Sequence, residues 1–220
     1  VSGTDIEINT SSAANNGAVN FSSATTTVNS AVDNSARTLT IVSGSGAVTF
    51  DGIIGGTANK HLGGLSVNAS GSHTGSIEIQ NIGAANEAGI DGGGSLALGN
   101  NSTSLVTLDG TIYHVGTAGG ITIAATSEAG GNTAQNISFT GGAATVKTAN
   151  GDIQFNNAVI DTTNDITINS VGGTISINSV MGSGTATALT VNANSGDTSA
   201  DATETITIGA IGDANEIGAV

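Results

Sequence analysis

The sequence predicts an all-β chain wound into a parallel β-helix, or β-solenoid, and three observations predict it. Apolar and polar residues alternate with period two in short runs along nearly the whole chain, the mark of strands with one buried face. A phrase of the form apolar-x-apolar-x-x-apolar-Gly recurs at 77–83, 166–172 and 206–212. Apolar residues make up 37% of the chain but aromatic ones only 2%, beside 34 glycines and no proline. The interior must therefore be thin and aliphatic, which a one-dimensional stack satisfies better than a globule.

The strands run in this order: "TDIEIN" (4–9), "TLTIV" (38–42), "AVTF" (47–50), "LSVNA" (65–69), "SIEI" (76–79), "SLAL" (95–98) and "GITI" (120–123), then "NISF" (136–139), "DIQF" (152–155), "DITI" (165–168), "TISI" (174–177), "LTV" (189–191) and "TITI" (205–208). All are rich in β-branched residues and are separated by Gly, Asn, Ser and Asp. No segment sustains apolar spacing at i, i+3, i+4 and i+7, so no helix is expected. No shift of composition marks a linker, and residues 1–220 read as a single repeat domain.

The residues after each strand give the winding. In the recurring phrase the first two apolar residues share one face of a strand. The third comes three later and would face the wrong way if the strand ran straight. It turns inward only if the chain bends at the two residues between, which are Gln80-Asn81, Asn169-Ser170 and Gly209-Ala210, with a close variant at Asn178-Ser179 in "ISINSVMG" (175–182). These types accept a bend. Ile77, Ile79 and Ile82 are thus expected inside, as are Ile206, Ile208 and Ile211. At about 20 to 25 residues per coil the chain would make roughly 9–11 coils, a rod about 45–50 Å long at the strand spacing. Turn asparagines, paired as Asn68 with Asn192, Asn86 with Asn215 and Asn169 with Asn178, are expected to form amide ladders.

One sentence is written twice. "IEIQNIGAANEAG" (77–89) and "ITIGAIGDANEIG" (206–218) share Ile77/Ile206, Ile79/Ile208, Ile82/Ile211, Gly83/Gly212, Ala85/Ala214, Asn86/Asn215, Glu87/Glu216 and Gly89/Gly218. Upstream, "LSVNAS" (65–70) is echoed by "LTVNAN" (189–194). The offsets, 124 and 129, differ by five residues that fall around the polar stretch "GDTSADATE" (196–204), as expected for a loop insertion between repeats. The earlier copy runs on through "IDGGGSLALGN" (90–100) whereas the later one stops. We therefore expect a segment of a longer shaft, or a subunit that stacks end to end.

Composition excludes several classes of function. Seventeen acidic residues face three basic ones, Arg37, Lys60 and Lys147, for a net charge of −14. Phosphate recognition needs clustered Lys and Arg, so a nucleic-acid partner is excluded and an anionic membrane surface disfavoured. No apolar run approaches the ~20 residues of a membrane span, so no membrane insertion is expected. There is no cysteine, so stability must come from burial and backbone pairing. No basic segment followed by an apolar one marks a signal peptide.

Candidate sites are few. His61, His73 and His114 are far apart and none lies in a His-x-x-His arrangement, so zinc is not indicated. No G-x-S-x-G elbow occurs. Neither catalytic residues nor an organic cofactor are expected, and the chain reads as no enzyme. The candidates for a metal are oxygen ligands for calcium: Asp161, Asn164 and Asp165 in "DTTND", and Asp197, Asp201 and Glu204 in the inserted stretch. The Gly-Gly-x-Gly-x-Asp calcium array does not occur. Asn-x-Ser/Thr sequons at Asn9, Asn20, Asn68, Asn100, Asn101 and Asn136 are what chance gives in a chain this rich in Asn, Ser and Thr. Thr-x-Thr runs suggest an ice-binding face, but the outward positions mix Thr with Ser, Glu, Gln and Asn.

Two long stretches resemble the repeats of giant bacterial surface proteins, the filamentous-haemagglutinin-like adhesins and related β-strand-repeat proteins. These are "LTIVSGSGAVTFDGIIGGTANKHLGGLSVNAS" (39–70) and "VKTANGDIQFNNAVIDTTNDITINSVGGTISIN" (146–178). The resemblance implies a right-handed β-helical shaft, a secreted or cell-surface location, and a role in adhesion or extracellular architecture. It implies partners of three kinds: further copies or turns of the shaft, surface glycans, and other cell-surface proteins. The expected function is thus a non-catalytic structural component of an extracellular assembly: an adhesin shaft, filament or surface layer. The alternative is a carbohydrate-binding or carbohydrate-cleaving β-helix, which a shallow groove of clustered carboxylates would favour.

Overall fold

A computed structural model describes residues 5–12, 16–25, 27–30, 37–117, 119–126, 136–182, 187–193 and 204–211. The chain winds around three faces. The first turn is β1(Ile6–Asn9), β2(Val19–Phe21) and β3(Thr27–Val28); the second is β4(Thr38–Val42), β5(Val48–Phe50) and β6(Ile53–Ile54). The third has β7(Gly64–Val67) and β8(Ile77–Ile79) on two faces and the single bridging residue Ile82 on the last. Then come β9(Leu96–Leu98), β10(Val106–Leu108) and β11(Ile112–Val115), followed by β12(Ile121–Ala124), β13(Ile137–Phe139) and β14(Ala144–Thr148). In the next turn one long strand, β15(Ile153–Thr162), serves the first two faces before β16(Ile166–Ser170). β17(Ile175–Gly182) and β18(Leu189–Asn192) repeat that arrangement, and β19(Ile206–Ile211) opens a further turn.

Named strands pair in parallel with their equivalents one turn away. Because β15, β17 and β19 run across the first corner, the first two faces join into one 13-stranded sheet, beside the four strands β11-β14-β16-β18 and the pair β3-β6 of the third face. The corner inside β15 is marked by a register shift between Phe155 and Val159 and by Asn157 in the left-handed region at φ 56°, a conformation asparagine accepts more readily than most residues.

The architecture is the all-β solenoid that the alternation predicts, with about six turns instead of nine to eleven. Among the described residues, six turns carry a strand on all three faces; the turn of β7 lacks the third strand and that of β19 is partial. Successive first-face strands lie between 22 and 33 residues apart, from Ile153↔Ile175 to Ile6↔Leu39. Loops between faces lengthen each turn, so the rod is about 30–35 Å long at the strand spacing.

Ladders of like side chains form the core. On the first face Ile6, Leu39, Leu65, Leu96, Ile121, Ile153, Ile175 and Ile206 stand in register. On the second the line is Val19, Val48, Ile77, Val106, Ile137, Ile160, Val180 and Ile211. The middle rungs are almost wholly buried, each worth about 1.5–3 kcal/mol by area burial. The few aromatics also point inward. Phe21 stacks on Phe50 with centroids 4.5 Å apart, and Tyr113 meets Phe139 edge-on at 6.2 Å. The buried Tyr113 hydroxyl accepts the N–H of Gly110 at 2.7 Å, and burial raises its pKa above the usual phenol value.

Entry to the first face is a seam of glycines. A Cβ on Gly94, Gly119, Gly151 or Gly173 would be driven into the carbonyl oxygen of the glycine one turn before. No side chain fits where neighbouring backbones approach so closely.

The repeated sentence is placed unexpectedly. "LSV" lies on the first face and "IEI" on the second, whereas their echoes "LTV" and "ITI" lie on the third and the first. The two copies thus occupy consecutive faces rotated relative to each other. The repeating unit is a face with its corner, not a turn. Within the phrase at 77–83 the corner falls at Gln80-Asn81, and Ile77, Ile79 and Ile82 are fully buried. At 166–172 there is no corner at Asn169-Ser170: β16 runs straight on, Ser170 takes the inward place and Val171 is half-buried. Ile206 and Ile211 are in register with the core lines but 47% and 45% exposed, because the described strands pack β19 on one side only. The five-residue insertion and the sentence's end, with Asn215, lie outside the described residues.

The amide ladders also differ. Asn68 follows β7 on the first face, whereas Asn192 ends β18 on the third. The Asn68 amide donates to Ser43 Oγ at 2.9 Å, its Oδ1 accepts the Ser43 N–H at 2.8 Å, and Asn100 donates to its carbonyl at 2.6 Å. Asn169 is in register with Asn192 instead of with Asn178. A second buried column is hydroxylic: Thr148 and Ser170 both donate to the carbonyl of Gly151, at 2.6 and 3.0 Å.

Candidate functional site

Aspartates placed just before strands have a shared structural role. Asp5 Oδ1 accepts the N–H of Thr38, Asp152 Oδ1 that of Thr174, and Asp165 Oδ1 that of Ala188, each at 2.8 Å. In each case acceptor and donor precede strand residues paired across one turn. Ser95 Oγ does the same for Gly120 at 3.2 Å. The Asp of "TDI", "GDI" and "NDI" is thus a staple between turns.

This bears on the calcium candidates. Asp165 is exposed and has one oxygen engaged with Ala188; Asn164 donates to Thr163 Oγ1 at 3.2 Å. Asp161, four residues before Asp165, is buried, and burial raises its pKa. Glu204 is half-buried ahead of β19, and Asp197 and Asp201 lie outside the described residues. Among the described residues no three His, Asp or Glu side chains gather in a group that could hold a metal ion. Of the sequons, Asn68, Asn100 and Asn136 are buried.

Several ionisable groups gather around the loop 83–91, which the sequence did not single out as a site. Ala84 and Glu87 bridge each other through both backbone hydrogen bonds. Side chains from three other turns reach this loop. His61 Nδ1 lies 2.9 Å from the carbonyl of Ala88, and Lys147 Nζ donates to that of Ala85 at 3.0 Å. His114, half-buried below the loop, has its pKa lowered by burial first and then by Lys147, against the opposing effects of the Glu87 and Ala84 carbonyls and Asp91. Asp91 Oδ1 accepts the N–H groups of Gly92 and Thr117. The cluster clasps a loop. The one signal in the sequence is that His114 and Lys147 occupy the same outward position of "TIYHV" and "ATVKT", two strands hidden because Tyr, Ala and Thr fill their inward places.

Among the described residues, three surface hollows stand out. One of about 340 Å³ is polar, lined by Ser11, Asn16, Ser45 and His73; another of about 420 Å³ by Asn100, Asn101, Thr122 and Asn156. The third, of about 550 Å³, opens at the first turn and is apolar, with Ile6, Ile8, Phe21, Val28 and Leu39 in its wall. No carboxylate lines any of the three. At the opposite end Ile206 and Ile211 stand exposed.

No family model, curated protein or solved structure matches the chain.

Proposed function

We propose that the chain is a non-catalytic structural component of an extracellular or cell-surface assembly, an adhesin shaft, filament or surface layer, built by stacking β-helical turns. The observation that supports this is the continuity of the core ladders. They run in register from the first described turn to the last, and among the described residues the outermost strands, at Ile6 and Ile8 and at Ile206 and Ile211, are paired on one side only. Parallel turns with open edges pair with whatever strand comes next. Stacked repeats elsewhere either cap such ends or continue through them.

Immunogold electron microscopy of the native material tests the reading. Label on fibres, or on a lattice at the cell surface, is the expected result. Label confined to the cell interior, or to isolated particles that never assemble, would overturn it.

A further inference from the structure

We propose that Asn150 is a site of spontaneous self-modification, at which the main-chain nitrogen of Gly151 attacks the side-chain amide of Asn150 and ammonia leaves. The reaction involves one chain alone and does not depend on assembly.

The chain holds two Asn-Gly pairs, Asn16-Gly17 and Asn150-Gly151. Glycine has no side chain to hinder attack of its nitrogen on the preceding residue, and the five-membered ring that forms draws both reacting groups from one dipeptide. Both asparagines are exposed. Their hydrogen bonds set them apart. At the first pair both reacting groups are held: the Gly17 N–H donates to the Thr10 carbonyl at 3.2 Å, and the Asn16 amide donates to Ser45 Oγ at 2.9 Å. At the second pair the glycine is anchored through its carbonyl, which accepts the Thr148 and Ser170 hydroxyls. Among the described residues no hydrogen bond engages the Gly151 N–H or the Asn150 amide. Nucleophile and target are free to meet.

A bond forms between Gly151 N and Asn150 Cγ, and the amide nitrogen departs as ammonia with the proton that Gly151 gives up. The cyclic imide left behind is opened by water at either of its two carbonyls, giving aspartate or isoaspartate. Water is the one co-reactant.

The glycine seam makes the second product consequential. Isoaspartate routes the main chain through Cβ of residue 150, one atom longer, in a turn that Thr148 Oγ1 closes on the Gly151 carbonyl at 2.6 Å. A Cβ on Gly151 would already stand 1.9 Å from the Gly119 carbonyl oxygen of the previous turn. An added backbone atom has no room beside it, so the 148–151 turn must open. Aspartate adds a charge and no length, two residues before the stapling Asp152.

The full chain is aged in a mildly alkaline buffer, and peptide mapping follows the mass gained where NH2 becomes OH. Asn150 should convert at least about tenfold faster than Asn16, because fewer hydrogen bonds must break on the way to its transition state. In urea the two should react at similar rates. Asn150→Gln, at an exposed position, should stop conversion at 150 and leave that at Asn16 unchanged. Aged chain should gain a protease cut within 148–152, and freshly made Asn150→Asp should not. Equal rates in the folded chain, or faster conversion at Asn16, would overturn the site. A difference undiminished in urea would show that neighbouring sequence sets it and overturn the structural assignment. Aged chain as resistant to protease as fresh chain would overturn the effect on the seam.

Discussion

At the residue scale, three of the seventeen acidic residues share one structural use. Asp5, Asp152 and Asp165 each fasten the backbone of the following turn. Asp152→Ala should therefore cost about 0.5–1.5 kcal/mol, the usual net worth of one hydrogen bond. Asp152→Asn, which keeps an acceptor oxygen, should restore most of it; urea unfolding measures both. His114 gives a pH dependence. Its folded pKa lies below the ordinary histidine value, so the neutral ring is favoured in the folded state and the unfolded chain binds the proton more readily. Its contribution is complete above about pH 6.5 and is lost as pH falls from there through the folded pKa. Thermal unfolding of the wild-type chain should decline over that window, and His114→Gln should flatten the decline.

At the scale of the element, the same substitution should have different effects in the middle and at the end of one ladder. Ile79 is fully covered, so Ile79→Asp buries an unpaired carboxylate at a cost of several kcal/mol and should prevent folding. Ile208 is partly buried against the core, and Ile208→Asp should leave the preceding turns folded; circular dichroism of the two variants separates the cases. The legibility of the elements follows the same physics. First-face strands such as "LSV" and "ITI" were plain because both inward places are aliphatic. β11 and β14 were hidden because Tyr113, Ala144 and Thr148 take inward places, and β3 and β6 because two residues carry no period. The bend at Gln80-Asn81 was readable from spacing, but the same spacing failed at Ser170, where a buried hydroxyl can satisfy itself on the Gly151 carbonyl and needs no corner. The clasp around Ala85 and Ala88 joins residues from separate turns, and nothing local in the sequence announces it. Loops between faces have no fixed size, so the sequence carries no turn length, and a fixed repeat of about 20 to 25 residues gives too many turns.

At the scale of the whole molecule, a net charge of −14 opposes the meeting of two copies, whereas the apolar end surfaces favour it. Salt screens the first and leaves the second, with a Debye length of about 8 Å at physiological ionic strength. Light scattering should therefore show faster growth of assemblies as sodium chloride is raised from low ionic strength. The spacing of 22 to 33 residues between paired first-face strands has a further consequence, for kinetics. Each pairing closes a loop of about one turn wherever it lies in the chain, and closure entropy rises only slowly with loop length. A nucleus formed by any two neighbouring turns can grow by adding one turn at a time, and no step waits for distant parts of the chain to meet. Amide exchange should then be slowest in the turns holding Tyr113 and Phe139 and quicken toward both ends, in a graded profile unlike the single cooperative opening of a globular domain. Lengthening such a chain by further turns would extend the time needed to fold by increments, without raising the barrier to starting.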